Sequence, residues 1–191
     1  YFYNQYEFTV LLAVQPIGRR SIVLAQFLAV SSALLAAFML GVGLPVLAWA
    51  PGAVGATLLV SGAALTTVFC AVGAWIAVTQ RDRARAVGIG LVTWVFLVLV
   101  YDSLLLWLMF AFSDRPIEPL IVPLAALNPI DLSRMLIMLR IDLAALLGYT
   151  GAVYHQFFGS TGGMVVSLLA LMLWTALPCW WAVRAFARKD L

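Results

Sequence analysis

Charge is nearly missing from this chain of 191 residues: 10% are Asp, Glu, Lys or Arg, and lysine occurs once, as Lys189. The sixty residues from Ser21 to Gln80 hold no charge at all. So few ionic groups cannot clothe a water-soluble domain of this size, and that class is excluded. With a single lysine, no Gly-Lys-Ser/Thr phosphate loop can be written, because Lys189 precedes Asp190. These residues cannot hydrolyse ATP by that route. If the chain moves anything against a gradient, another subunit or an ion gradient supplies the energy. Histidine and cysteine are equally scarce. His155, Cys70 and Cys179 are the whole supply of imidazole and thiol. Both cysteines fall inside apolar runs, where a small buried residue is the expected role rather than a disulfide or metal pair. No zinc spacing exists. Met135, Met138, Met164 and His155 allow a copper site to be imagined, but methionines one helical turn apart ordinarily pack. No nucleophile–base pair or paired carboxylates can be assembled, so neither a catalytic site, a metal nor a cofactor is expected.

What the chain has is apolar length. It is 65% hydrophobic with a mean hydropathy of +1.07, and a membrane-crossing helix needs roughly 20 such residues. Four spans can be drawn, over 22–47, 54–78, 86–112 and 164–186, which predicts an all-α integral membrane protein. Gly41, Gly43 and Pro45, followed by Trp49-Ala50-Pro51-Gly52, mark the break between the first two. A secretory signal is excluded, since the apolar blocks are too long and too many. Orientation follows from the basic residues. Arg19, Arg20, Arg81, Arg83, Arg85, Arg184, Arg188 and Lys189 all flank one side, which the positive-inside rule makes the cytoplasm. The net charge of +3 is therefore topological, and no nucleic-acid role is expected. The chain starts at Tyr1 rather than Met, as a fragment would.

Residues 113–163 form the extracytoplasmic stretch and are too many for a bare loop. Asn128-Pro129-Ile130-Asp131 is a helix start, with Asn as N-cap, Pro at the first position and an acid facing the positive end of the dipole. A helix from Pro129 to Leu147, ended by Gly148, would gather Asp131, Arg134 and Asp142 in one polar stripe beside Leu132, Leu136, Leu139, Leu143 and Leu146. That stripe, with Asn128 and Pro129, is either a docking face for an extracytoplasmic partner or part of an amphipathic plug over the bundle. Asp102 is the one carboxyl within a predicted span. It lies about 24 Å above Ala86 at ~1.5 Å per residue, near the outer edge of the hydrocarbon layer. Pairing with Arg115, Arg134 or an outer-loop donor is one reading, and a proton or substrate role is the other. On the inner side, Tyr6 to Arg20 is a short amphipathic stretch broken at Pro16-Ile17-Gly18, suited to the membrane plane or to a cytosolic protein.

The run Glu7-Phe8-Thr9-Val10-Leu11-Leu12-Ala13-Val14-Gln15-Pro16-Ile17-Gly18-Arg19-Arg20 resembles the cytoplasmic segment of ABC-2 type permeases, although Glu7-Phe8-Thr9 replaces the commoner Gly-Thr-Leu. The ending Phe186-Ala187-Arg188-Lys189-Asp190-Leu191 is similar to theirs as well. The resemblance implies one transmembrane permease domain of six spans, of which this fragment holds spans three to six and the C-terminus. It also implies a separate cytoplasmic ABC ATPase that uses the ATP, with Glu7, Phe8, Leu11, Leu12, Pro16, Arg19 and Arg20 as the contact. A narrower likeness runs from Gly88, Trp94 and Tyr101-Asp102 through Leu127-Asn128-Pro129-Ile130-Asp131 and Ala144–Tyr149 to Phe157-Phe158-Gly159. It resembles the NosY type, the permease branch serving maturation of nitrous oxide reductase. That implies a homodimer in the lipid of the bacterial inner membrane, a periplasmic partner, and support for assembly of a copper–sulfur centre. A general ABC-2 exporter of lipid, drug or polysaccharide and a membrane-embedded enzyme are the alternatives. The first would need no soluble outer partner, and the second would need converging polar residues at one depth.

Overall fold

The computed structural model describes residues 18–112, 123–140 and 161–187. Among them every regular element is a helix, as a bilayer demands of any chain that is not a closed barrel, because backbone groups find no water there. Four helical rods are long and apolar enough to cross, at Arg20–Trp49, Ala53–Thr79, Arg83–Ala111 and Val165–Ala187.

The first rod is α1 (Arg19–Phe38), a π-helical turn (Met39–Gly43) and α2 (Leu44–Trp49). Pro45 was expected to contribute to the break between the first two spans. Instead it sits inside the rod, at the start of α2. A proline has no N–H for the ladder and crowds the preceding turn, and the wider π turn just before it absorbs both defects without ending the helix. The chain reverses only at Ala50–Gly52. The second rod is α3 (Ala53–Thr79). Asp82 then caps the third, its carboxylate accepting from the Ala84 N–H at 3.1 Å. That rod comprises α4 (Arg83–Val95), a second π turn (Phe96–Val100) and α5 (Tyr101–Ala111). The fourth is α7 (Thr161–Ala187), continuous through Pro178.

Helix α3 is the centre of the bundle. Helix α7 packs along it most extensively, and α1 lies against both. At the inner end Val23, Val78, Ala182 and Phe186 form one buried cluster. Higher up, Ser31 donates to the Cys70 thiol at 3.2 Å, tying α1 to α3. Both cysteines are free.

The remaining helix, α6 (Pro129–Arg140), does not lie over the bundle but enters it. Leu132 and Leu136 are buried with Val68 of α3, Leu105 and Met109 of α5, and Leu171 of α7. Val68 is about 22 Å along α3 from Ala53 at ~1.5 Å per residue, so the contact is deep between the spans. The described part of the stretch expected outside is thus a re-entrant helix that reaches about the middle of the rods. Its apolar stripe explains why: those leucines lose more water inside than they could on an exposed surface.

Candidate functional site

Depth poses a problem for the polar start of α6, and the site is its solution. In the third rod the π turn widens the backbone, with the Tyr101 N–H donating to the Phe96 carbonyl five residues back. On that turn the Leu97 carbonyl accepts a hydrogen bond from Asn128 Nδ2 at 2.8 Å. Asn128 is wholly buried and is satisfied on every side. Its Oδ1 accepts from the Ile130 N–H at 3.1 Å, as an N-cap should, and its own carbonyl takes the first helical bond from Leu132 at 3.0 Å. Its Nδ2 also donates to Asp131 Oδ2 at 2.8 Å. One turn further along the third rod, the Tyr101 hydroxyl donates to the Leu124 carbonyl, holding the residues before the cap.

Arg134, one turn beyond Asp131, completes the arrangement. Its guanidinium lies 3.0 Å from Asp102 Oδ2 and 3.7 Å from Asp131 Oδ1. Two carboxylates thus share one cation. Asp102 and Arg134 are half-buried, at 35% and 37% side-chain exposure, whereas Asp131 is at 4%. Burial pushes the Asp131 carboxyl above its ordinary value and the Asp102 charge adds to this; Arg134 and the Asn128 hydrogen bond pull the other way. The intramembrane acid therefore has a partner in Arg134, one of the expected donors; Arg115 lies outside the described residues.

The residues expected to form an outer docking face are distributed differently. Asn128, Pro129 and Asp131 are covered by the chain itself, and of the described members only Arg134 is partly accessible. The helical wheel placed Asp131 and Arg134 in one stripe correctly, but the stripe turns inward, because the Leu97 carbonyl and Asp102 offer it partners there. Asp142 lies outside the described residues, as do Glu7, Phe8, Leu11, Leu12 and Pro16 of the inner segment. Arg19 opens α1, and Arg20 is exposed at the inner end, lining a cleft with Arg184. Met135 packs against the buried cluster around Leu132, while His155 lies outside the described residues. Among the described residues no three of His, Cys, Asp and Glu come together to hold a metal. Sequence reasoning missed the π turn and the Tyr101 bond. A Phe-Leu-Val-Leu-Val run before Tyr-Asp offered only the crowding of its valines as a signal.

Chemically the cluster is a clamp. Its hydrogen bonds and ion pair bind the re-entrant helix to the middle of the third span, although the Ser133 hydroxyl on the same helix is buried with no hydrogen-bond partner among the described residues. The sequence matches the family described as ABC-2 family transporter protein over residues 9–191. The chain belongs to the ABC-2 transporter family. Two curated relatives have the same description, "Probable ABC transporter permease protein NosY". The one from Pseudomonas aeruginosa is 30% identical over 187 residues, and the one from Stutzerimonas stutzeri is 29% identical over 182. Each alignment takes in 90% of this chain and 62% of the relative. The chain therefore spans under two thirds of the length of these ABC-2 permeases. Family and fold together make it a multi-pass protein of the bacterial inner membrane.

Proposed function

We propose that this chain is the membrane-spanning permease part of an ABC transporter of the NosY type, working with a separate cytoplasmic ATPase in the maturation of nitrous oxide reductase. The observation that carries the mechanism is the clamp from Leu97, Tyr101 and Asp102 to Leu124, Asn128 and Arg134. It makes the re-entrant helix move with the third span. A tilt imposed from the cytoplasm would then reach the outer mouth as movement of a packed element. The segment from Glu7 to Arg20, which precedes and enters α1 in sequence, is where the ATPase would push. Two copies would form the pathway, and the outer mouth would hand its signal or cargo to a periplasmic partner. The NosY relatives support the choice of cargo system over a general exporter.

Two measurements test this. The intact permease, extracted in mild detergent, is expected to copurify with an ABC ATPase, and deletion of residues 6–16 should abolish the association. Absence of any ATPase while the segment is intact would end the ABC reading. Disruption of the gene, in a host that makes nitrous oxide reductase, should leave that enzyme made but lacking the absorption of its copper–sulfur centre. A normal spectrum would return the chain to the general exporters.

A further inference from the structure

Where α1 begins and α7 ends, two arginines converge on one cleft. Its walls are Arg20, Trp180, Val183, Arg184 and Ala187, and it encloses about 370 Å³, within the ~300–1,000 Å³ of small-molecule sites. Trp180, Val183, Arg184 and Ala187 follow the spacing of one helix face, and Arg20 reaches it from the neighbouring span. Among the described residues no carboxylate lines it. Arg184 is held with its guanidinium 5.1 Å above the Trp180 ring, a cation–π contact that fixes the direction of its donors. A second cleft on the other side of Arg184 is lined by Trp75, Trp181 and Ala185, with the two indoles 5.5 Å apart. The spans are locked together beside it by Val23, Val78, Ala182 and Phe186, so the walls are fixed.

A basic residue at the end of a span needs no ligand to explain it, since the positive-inside rule and the helix dipole both favour one. Neither effect brings a second arginine from another helix into the same cavity, beside an indole and an apolar wall. The composition matches an anionic group that has an apolar tail. Forked guanidinium donors suit phosphate oxygens, indoles suit the interface, and Val183 and Ala187 give the apolar wall that glycerol and the first methylenes require. We propose that this cleft binds the phosphate headgroup of an anionic phospholipid of the inner leaflet, with Arg184 and Arg20 as its ligands. The site is independent of the cargo and of the reading given above. A lipid held there would bridge the start of the first span to the end of the fourth.

The test uses the intact permease, with whatever subunits copurify, in a neutral detergent. Phosphatidylglycerol, phosphatidylcholine and inorganic phosphate are added separately, and bound lipid is counted by native mass spectrometry, which reads only folded assemblies. Phosphatidylglycerol is expected to be retained in preference to phosphatidylcholine. Arg184→Gln should weaken it by on the order of tenfold, the loss of one charge-assisted contact, and Arg20→Gln/Arg184→Gln should abolish the preference. Arg85→Gln, on the same side but outside the cleft, should leave it intact. If the arginine variants do not assemble, Trp180→Leu keeps both charges and should still weaken binding. Equal retention of the two lipids, or a preference surviving in the double variant, would overturn the assignment. So would competition by millimolar inorganic phosphate as effective as that of lipid, which would make the cleft a site for a soluble anion.

Discussion

Asp131 holds the least favourable position of any described acid in this protein, buried beside a second carboxylate with one arginine between them. Its proton affinity is raised in the fold, chiefly by desolvation and then by Asp102. The folded state therefore binds a proton more readily than the unfolded chain. By linkage, the contribution of Asp131 to stability is full below its ordinary value of 3.8 and is lost as pH rises through the higher folded value. At neutral pH the carboxylate is a cost that the clamp carries. Asp131→Asn removes that cost, since the amide oxygen can still accept from Asn128 Nδ2. The unfolding temperature in detergent at pH 7 is expected to stay level or rise, by the equivalent of about 1 kcal/mol, and its slope between mildly acid and neutral pH should flatten. A fall of several degrees at pH 7 would show that the negative charge itself holds Arg134. Asn128 is a contrasting case, because no substitute reproduces an oxygen that caps α6 together with an amide that reaches Leu97.

At the scale of elements, the reversal between the first two rods depends on one glycine. A Cβ built at Gly55 would run into the Ala50 carbonyl and lie 3.0 Å from the Val46 side chain, whereas at Gly73, in the same helix, it meets nothing within 4 Å. Gly55→Ala must therefore displace backbone, at about 1–3 kcal/mol, while Gly73→Ala should be neutral or stabilising by up to about 1 kcal/mol. Comparing the two unfolding midpoints checks this, and equal effects would mean the turn is slack. The rods themselves were legible in the sequence because each is set by length and hydropathy, which the bilayer reads one segment at a time. So was the N-cap at Asn128, whose signal is local. The re-entrant course of α6 was not legible. A helix with leucines on one side and Asp131 and Arg134 on another has the same pattern whether water or a neighbouring span satisfies the polar stripe. The deciding partner, a main-chain carbonyl freed at a π turn in another span, has no side-chain code.

For the whole molecule, the sequence gives orientation as well as architecture, and the structure adds a constraint on it. Arg20, Arg81, Arg83 and Arg184 lie at one end of the rods, and the entry of α6 lies toward the other. If the basic end faces the cytoplasm, the clamp is in the periplasmic half, and the force transmitted through it is outward. The reverse orientation would put eight basic residues across the membrane against the potential, with the re-entrant helix opening to the ATPase, and both halves of the proposed mechanism would fail together. Cysteine accessibility distinguishes the two. Pro51 is exposed at the outer turn and Arg81 at the inner one. The native thiols are a small background, because Cys70 is buried and Cys179 partly so. In intact cells a membrane-impermeant maleimide should label Pro51→Cys at once and Arg81→Cys only after permeabilisation. The opposite pattern would invert the molecule, place the Asp102–Arg134 pair on the cytoplasmic side, and put the arginine cleft in the outer leaflet.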